Sequence, residues 1–208
     1  MKKTIIADPH PITRRGVKEI LHDSDKFKVV GEVSDGSELL LQLKKKNPAL
    51  LILELDMPGF NGLQNIRNIS NAYPEIKIVV FSSYPEGIYA VRSIQSGAKG
   101  YISKSATGKL FLKAIKTIAA GGIYLNKQPG HSVKDLIDKS NEAPYSKLSI
   151  REIEVLDLLA AGNRNKDIAF LLGINEKTVS TYKSRLFKKL KIKNLAELIS
   201  HSKALPYN

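Results

Sequence analysis

The sequence predicts two joined folds, an α/β half built on a five-stranded parallel sheet and then an all-helical unit of four helices. Three observations carry this expectation. Short β-branched apolar runs alternate with amphipathic stretches as far as about residue 122. Residues 126–147 then mix Pro129, Gly130, Asn141 and Pro144 around a short helical pattern, Val133 to Lys139, as a stiff tether does. From Ser149 onward, apolar residues recur at helical spacing alone. With 208 residues, 42% of them hydrophobic, the chain has room for two cores. The expected division is residues 1–122, a linker over 123–146 carrying a short helix, and a second domain over 147–208.

In the first half, strands are expected at Thr4 to Ala7, Val29 to Val33, Leu50 to Leu53, Ile76 to Phe81 and Gly100 to Ile102, with helices between and after them. The last helix is expected from Thr107 to Ala120, ended by Gly121 and Gly122. Strands that alternate with helices argue a parallel sheet covered on both faces, and five of this size fit a flavodoxin-like order. In such sheets functional groups gather outside the carboxyl ends of the strands. Asp8 ends the first strand, Glu54 and Asp56 the third and Ser82 the fourth, and Lys104 follows the fifth. Four strand ends therefore point polar groups at one crevice.

In the second half each helix has a legible start. Ser149 and Glu152 form a capping-box pattern, and Asn165, Asn175 and Asn194 stand where three further helices should be capped. Gly162 and Gly173 supply stops, and Gly173-Ile174-Asn175 is the short glycine-containing turn of a helix-turn-helix. Core positions are Ile153, Leu156 and Leu159; Ile168, Ala169 and Leu172; Val179, Tyr182, Leu186 and Leu190; and Leu195, Leu198 and Ile199. With the third group turned inward, the opposite face of that helix carries Lys177, Ser180, Thr181, Ser184 and Lys188. Small hydroxyls in its middle suit base edges and lysines at its ends suit phosphates, so double-stranded DNA is the expected partner. Thr178, Lys183 and Arg185 on the same helix complete the candidate DNA-contacting set.

Composition narrows the classes further. The formal charge is +13, and residues 1–125 hold 18 Lys/Arg against 11 Asp/Glu, so the basic excess is not confined to the helical unit. That excess adds attraction to polyanions or is simply a solvated surface. Without cysteine there are no disulfides, thiolate nucleophiles or thiolate metal sites. No apolar run approaches the roughly 20 residues of a membrane span, and the apolar part of MKKTIIADPH is too short for a secretory signal, so a soluble cytoplasmic protein is expected. Neither a Walker loop nor a dinucleotide fingerprint follows the first strand.

Two resemblances cover the chain. Residues 149–201, and NEKTVSTYKSRL within them, resemble the LuxR-type helix-turn-helix of the NarL/FixJ response regulators, nearest the BvgA and EvgA branch. The resemblance implies that the third helix enters the major groove and that the fourth helps form a homodimer, through Asn194, Leu195 and Leu198 here. Phe170 and Leu171 depart from the family's usual polar residues and suggest an apolar docking patch. The short Ser180, Thr181 and Ser184 leave the target sequence open. The segments IIADPHPITRRGV, LILELDMPGFNG, IVVFSS and GAKGYISKS are similar to the receiver domain of the same family. Such receivers take a phosphoryl group from a histidine kinase onto an aspartate, with Mg²⁺ held by acidic side chains.

By that resemblance, Ser82 is the switch hydroxyl, Tyr101 the switch aromatic and Lys104 the pocket lysine, and a direct Glu54–Lys104 ion pair is the simplest content of the pocket that remains. Two positions break the pattern. The acceptor position, three residues before Met57-Pro58, is Glu54, one methylene longer than aspartate, and the second member of the acidic pair is Pro9. The expectation is a degenerate receiver that works without phosphorylation, with Glu54 a partial mimic of the phosphorylated state, no resident cofactor and at most weak Mg²⁺ binding. It is not expected to be an enzyme; its upstream partner is a histidine kinase or another regulatory protein. A conventional phosphorylation-dependent regulator is the nearer alternative. An aspartate-type phosphatase or phosphotransferase is the remoter one, since it leaves the C-terminal helices unexplained.

Overall fold

The computed structural model describes residues 1–60, 62–84, 86–126 and 148–198. They fall into two compact units, one within residues 1–126 and one within 148–198. The expected linker helix, Val133 to Lys139, and Ile199 lie outside the described residues.

In the first unit strands and helices alternate: β1 (Lys2–Ala7), α1 (Pro11–His22), β2 (Phe27–Val33), α2 (Gly36–Lys46), β3 (Leu50–Leu53), α3 (Gly62–Ala72), β4 (Lys77–Ser82), α4 (Glu86–Gln95), β5 (Gly100–Ser103) and α5 (Gly108–Ala119). All strands run parallel, in the order β2-β1-β3-β4-β5. The order reverses direction at β1 and β3, which opens a crevice at their carboxyl ends. Leu50–Leu53 is buried at every position, as expected of a central strand covered on both faces. One face of the sheet closes on Val17 and Leu21 of α1 and on Phe111, Ile115 and Ile118 of α5. At roughly 25 cal/mol per Å² of apolar surface removed from water, such side chains contribute about 1.5–3 kcal/mol each.

Turn chemistry fixes where the helices begin. Asp35 caps α2 by accepting the Ser37 N–H (2.6 Å), and its pKa is held below the usual carboxylate range by the Ser37 hydroxyl and N–H. Thr107 caps α5. The chain does not leave the sheet at Gly122. Tyr124 bridges to Gly100, donating its N–H to Lys99 O (2.9 Å) and accepting that of Tyr101 (3.1 Å). The sheet's edge thus runs past the expected start of the linker.

The second unit holds α6 (Ile150–Ala160), α7 (Asn165–Leu172) and α8 (Glu176–Leu190), with residues 195–198 helical after them. Ile153, Leu156, Leu159, Ile168, Val179, Leu186 and Leu198 are buried together in its core. The Ser149–Glu152 capping box forms, and Gly162 and Gly173 adopt positive φ (84° and 63°) after the helices they end. No helix of the described residues is long and apolar enough to cross a membrane.

Glu152 does more than cap. It is buried, and Lys189 of α8 reaches it at 2.7 Å, pinning the first helix to the third. Burial pushes its pKa up, but the Lys189 ammonium and the Ser149 N–H outweigh burial and hold it below the usual range. A depressed folded pKa stabilises the fold above the unfolded value of about 4.3, and that stability is lost as pH falls through the folded value. Thermal melts of the full chain should therefore show Lys189→Met less stable than wild type at neutral pH, with the gap narrowing as pH falls below the unfolded value. A gap that does not narrow as pH falls would assign the loss to packing instead.

Candidate functional site

Three backbone hydrogen bonds align the carboxyl ends of the strands. The Asp8 N–H donates to Val33 O (3.0 Å), that of Glu54 to Ala7 O (2.8 Å) and that of Lys104 to Ser82 O (2.9 Å). Each residue thus leaves its strand at the same level, and the side chains converge.

The Lys104 ammonium lies 2.7 Å from Asp8 Oδ2 and 2.7 Å from Glu54 Oε2. Burial opposes its charge, but the Asp8 and Glu54 carboxylates overcome this and hold its pKa above the ordinary lysine value. The second oxygen of Glu54 collects three donors: Ser82 Oγ (2.5 Å), the Leu55 N–H (2.6 Å) and the Asp56 N–H (3.2 Å). Asp8 Oδ1 accepts the His10 N–H (2.7 Å) and faces His10 Nδ1 at 3.0 Å. The expected Glu54–Lys104 pair is present, widened by Asp8 into a triad of two buried carboxylates and a half-buried ammonium.

One candidate sits differently from expectation. The Asp56 side chain is exposed: β3 ends at Leu53, so the two-residue alternation that would aim Asp56 inward no longer holds, and only its N–H enters the pocket. Tyr101 is fully buried and its hydroxyl interacts with the Ser82 side chain; the hydroxyl donates to Tyr84 O (2.5 Å), and burial raises its pKa, so the phenol stays a donor. The β4–α4 turn ties the same residues together, since the Tyr84 N–H donates to Ser82 Oγ (3.2 Å). Arg14, absent from the sequence reading, donates from Nη1 to Asp8 O (2.7 Å) and steadies the strand end. Its place one turn into α1 was the available signal.

On α8, Lys177, Ser180, Thr181, Ser184, Arg185 and Lys188 are exposed, as a reading face requires. Asn175 caps the helix, accepting from the Thr178 N–H (2.8 Å) and hydroxyl (2.9 Å). Thr178 is therefore partly committed to the cap. Thr181 donates to Lys177 O (2.9 Å), which leaves its oxygen outward as an acceptor. Lys183 departs from the set: it is half-buried on the flank beside the inward face, its Nζ 5.8 Å from the Phe187 ring centroid. Asn165 is not a cap either. It is the first residue of α7, where Asp167 accepts the Arg164 N–H, and its side chain instead donates to Ser180 Oγ (3.1 Å), tying the two helices of the motif together.

Asn194 caps the following turn by accepting the Glu197 N–H (2.9 Å) and is exposed. Leu195 is half-buried, but Leu198 is fully buried in its own unit's core and has no surface left for a dimer contact. Phe170 and Leu171 are 87% and 58% exposed, as their unusual apolar character suggested.

Residues 4–116 match the model of the response regulator receiver domain, and residues 146–202 that of the bacterial regulatory proteins of the luxR family. The chain belongs to the luxR-type response regulators. It is 35% identical to the oxygen regulatory protein NreC of Staphylococcus haemolyticus over 210 residues, covering 96% of each chain. It is 37% identical to a putative transcriptional regulator of Pseudomonas aeruginosa over 203 residues, covering 98% of each. Among solved structures it is similar to RcsB of Salmonella enterica serovar Typhimurium bound to promoter rprA in the presence of phosphomimetic BeF3-, with a TM-score of 0.73 at 28% identity, covering 98% of this chain and 99% of that one. This response regulator thus matches both a receiver-domain model and a luxR-family model, with a glutamate and a proline at the two positions singled out above.

Proposed function

We propose that this response regulator is a homodimeric transcription regulator that reads double-stranded DNA with α8 and whose receiver needs no phosphorylation. One observation carries the second part. Both oxygens of Glu54 are engaged, one by Lys104 and the other by Ser82 and two backbone N–H groups. These are the donors that would neutralise phosphoryl oxygens on a shorter acceptor. The extra methylene of Glu54 carries its carboxylate to them directly.

The metal side of the pocket supports the same reading. Mg²⁺ demands near-octahedral oxygen ligands, yet Pro9 offers no side-chain donor, and Asp8 is occupied by His10 and Lys104. The remaining donor set does not fit the ion, so weak binding is the most that it supports. With phosphorylation out of use, a bound ligand or another protein, rather than a histidine kinase, is the input that would shift the dimer.

The exposed hydroxyls and lysines of α8 support DNA as the partner. So do the relatives, since solved structures show RcsB bound to promoter DNA and as dimers on DNA. A twofold pair of such helices meets half-sites about one helical turn apart. Treatment with acetyl phosphate and Mg²⁺ should change neither the intact mass nor the DNA affinity of the protein. A phosphoryl mass gain on Glu54 or Asp56, with tighter DNA binding, would restore the conventional mechanism.

A further inference from the structure

The charges of the receiver are not spread evenly. From the last turn of each helix through the second residue of the following strand, the first unit carries eleven Lys/Arg against four Asp/Glu, counting the starts of β1 and the end of α5. Everywhere else in residues 1–125 the count is seven against seven. The whole basic excess of the receiver thus lies at the amino-terminal edge of the sheet, the end opposite the Glu54 pocket.

Part of this edge serves the fold. Five helices end here, each with a partial negative charge, and Lys2 and Lys77 both reach the carbonyl of Ala119 near the end of α5 (2.6 and 3.1 Å). The other lysines are not used in this way. Lys3, Lys26 and Lys99 are exposed, and their amines make no hydrogen bond or ion pair among the described residues. They stand at the heads of β1, β2 and β5. With strands about 4.8 Å apart, β2 to β5 spans four steps, a row roughly 19 Å long. One strand of duplex DNA presents a phosphate about every 3.4 Å of axis, so this row lies alongside five or six of them.

We propose that the amino-terminal edge of the receiver sheet is a second, sequence-independent contact for DNA phosphates, a proposal that rests on the DNA-reading role of α8. Isolated lysine–phosphate contacts are weak, but a site joined covalently to a DNA-bound domain acts at high effective concentration and adds to the affinity of the whole chain. The consequence is an additional release of counterions, with a slope of log K against log salt of about 0.9 per phosphate neutralised.

The test uses the full chain and a 40-base-pair duplex of arbitrary sequence, titrated over a range of salt. The triple variant Lys3→Gln, Lys26→Gln, Lys99→Gln should reduce the salt slope by about 2 to 3. A control triple, Arg67→Gln, Lys109→Gln, Lys113→Gln, removes the same charge from the balanced part of the receiver and should leave the slope within about one of wild type. Equal losses in both variants would mean that only net charge matters, and an unchanged slope in the first would mean that the edge touches no phosphate; either overturns the proposal. So would binding to phosphatidylserine vesicles that depends on the first three lysines while duplex binding does not. A wild-type chain that ignores duplex DNA altogether would instead remove the DNA-reading role itself, and the proposal with it.

Discussion

Lys104→Met should destabilise the receiver by about 3–5 kcal/mol at neutral pH, because it leaves two buried carboxylates, Asp8 and Glu54, facing each other without their shared cation. Methionine nearly matches the length of the lysine stem, so packing is largely kept and the loss is electrostatic. The deficit has a pH signature. A lysine whose folded pKa is raised stabilises the fold fully below the unfolded value of about 10.4, and that stability is lost as pH rises through the folded value. Urea unfolding of both proteins from pH 7 up to about pH 11 measures this directly, the deficit shrinking as the lysine deprotonates. A deficit constant across the series would show that Lys104 contributes packing rather than charge.

Gly36→Ala is the second large effect. The N–H of Gly36 donates to Pro58 O at 2.8 Å, which brings the start of α2 against the loop that follows β3. A Cβ at position 36 would lie 2.6 Å from Gly59 O, 2.7 Å from Gly59 C and 2.8 Å from Phe60 N. All three are backbone atoms, and Gly59 itself holds a positive φ of 66°, so the loop cannot yield cheaply. Alanine should cost about 2–3 kcal/mol and displace residues 56–60, which carry one of the N–H donors to Glu54. Alanine at Gly16, where nothing lies within 4 Å, should be neutral or stabilising by comparison. Equal melting temperatures for the two variants would show that the loop adapts freely.

The contrast between these residues explains how much was legible in the sequence. Strand positions were readable because β-branched runs such as Ile76 to Phe81 report burial locally, and the convergence of Asp8, Glu54, Ser82 and Lys104 followed from their positions at strand ends. The Ser149–Glu152 box and the Asn175 cap were readable because each spans three residues. Where a contact joins distant segments, the pattern is silent. Nothing near Gly36 announces Gly59, nothing near Glu152 announces Lys189, and Asn165 fits a cap pattern locally while its bond to Ser180 is tertiary. Asp56 and Leu198 failed for a different reason. Alternation places a side chain inward only while the strand lasts, and helical spacing identifies the apolar face of Leu198 without saying whether that face meets its own core or a partner.

The Glu54 carboxylate is joined to its backbone by carbon–carbon bonds. An acyl phosphate hydrolyses and so sets a clock on the signal that it carries, whereas the Ser82 and Lys104 contacts of a glutamate last as long as the polypeptide. On the proposed reading, no acyl-phosphate lifetime sets the timing of the response, which passes to the ligand or partner that shifts the dimer and to the synthesis and turnover of the protein itself.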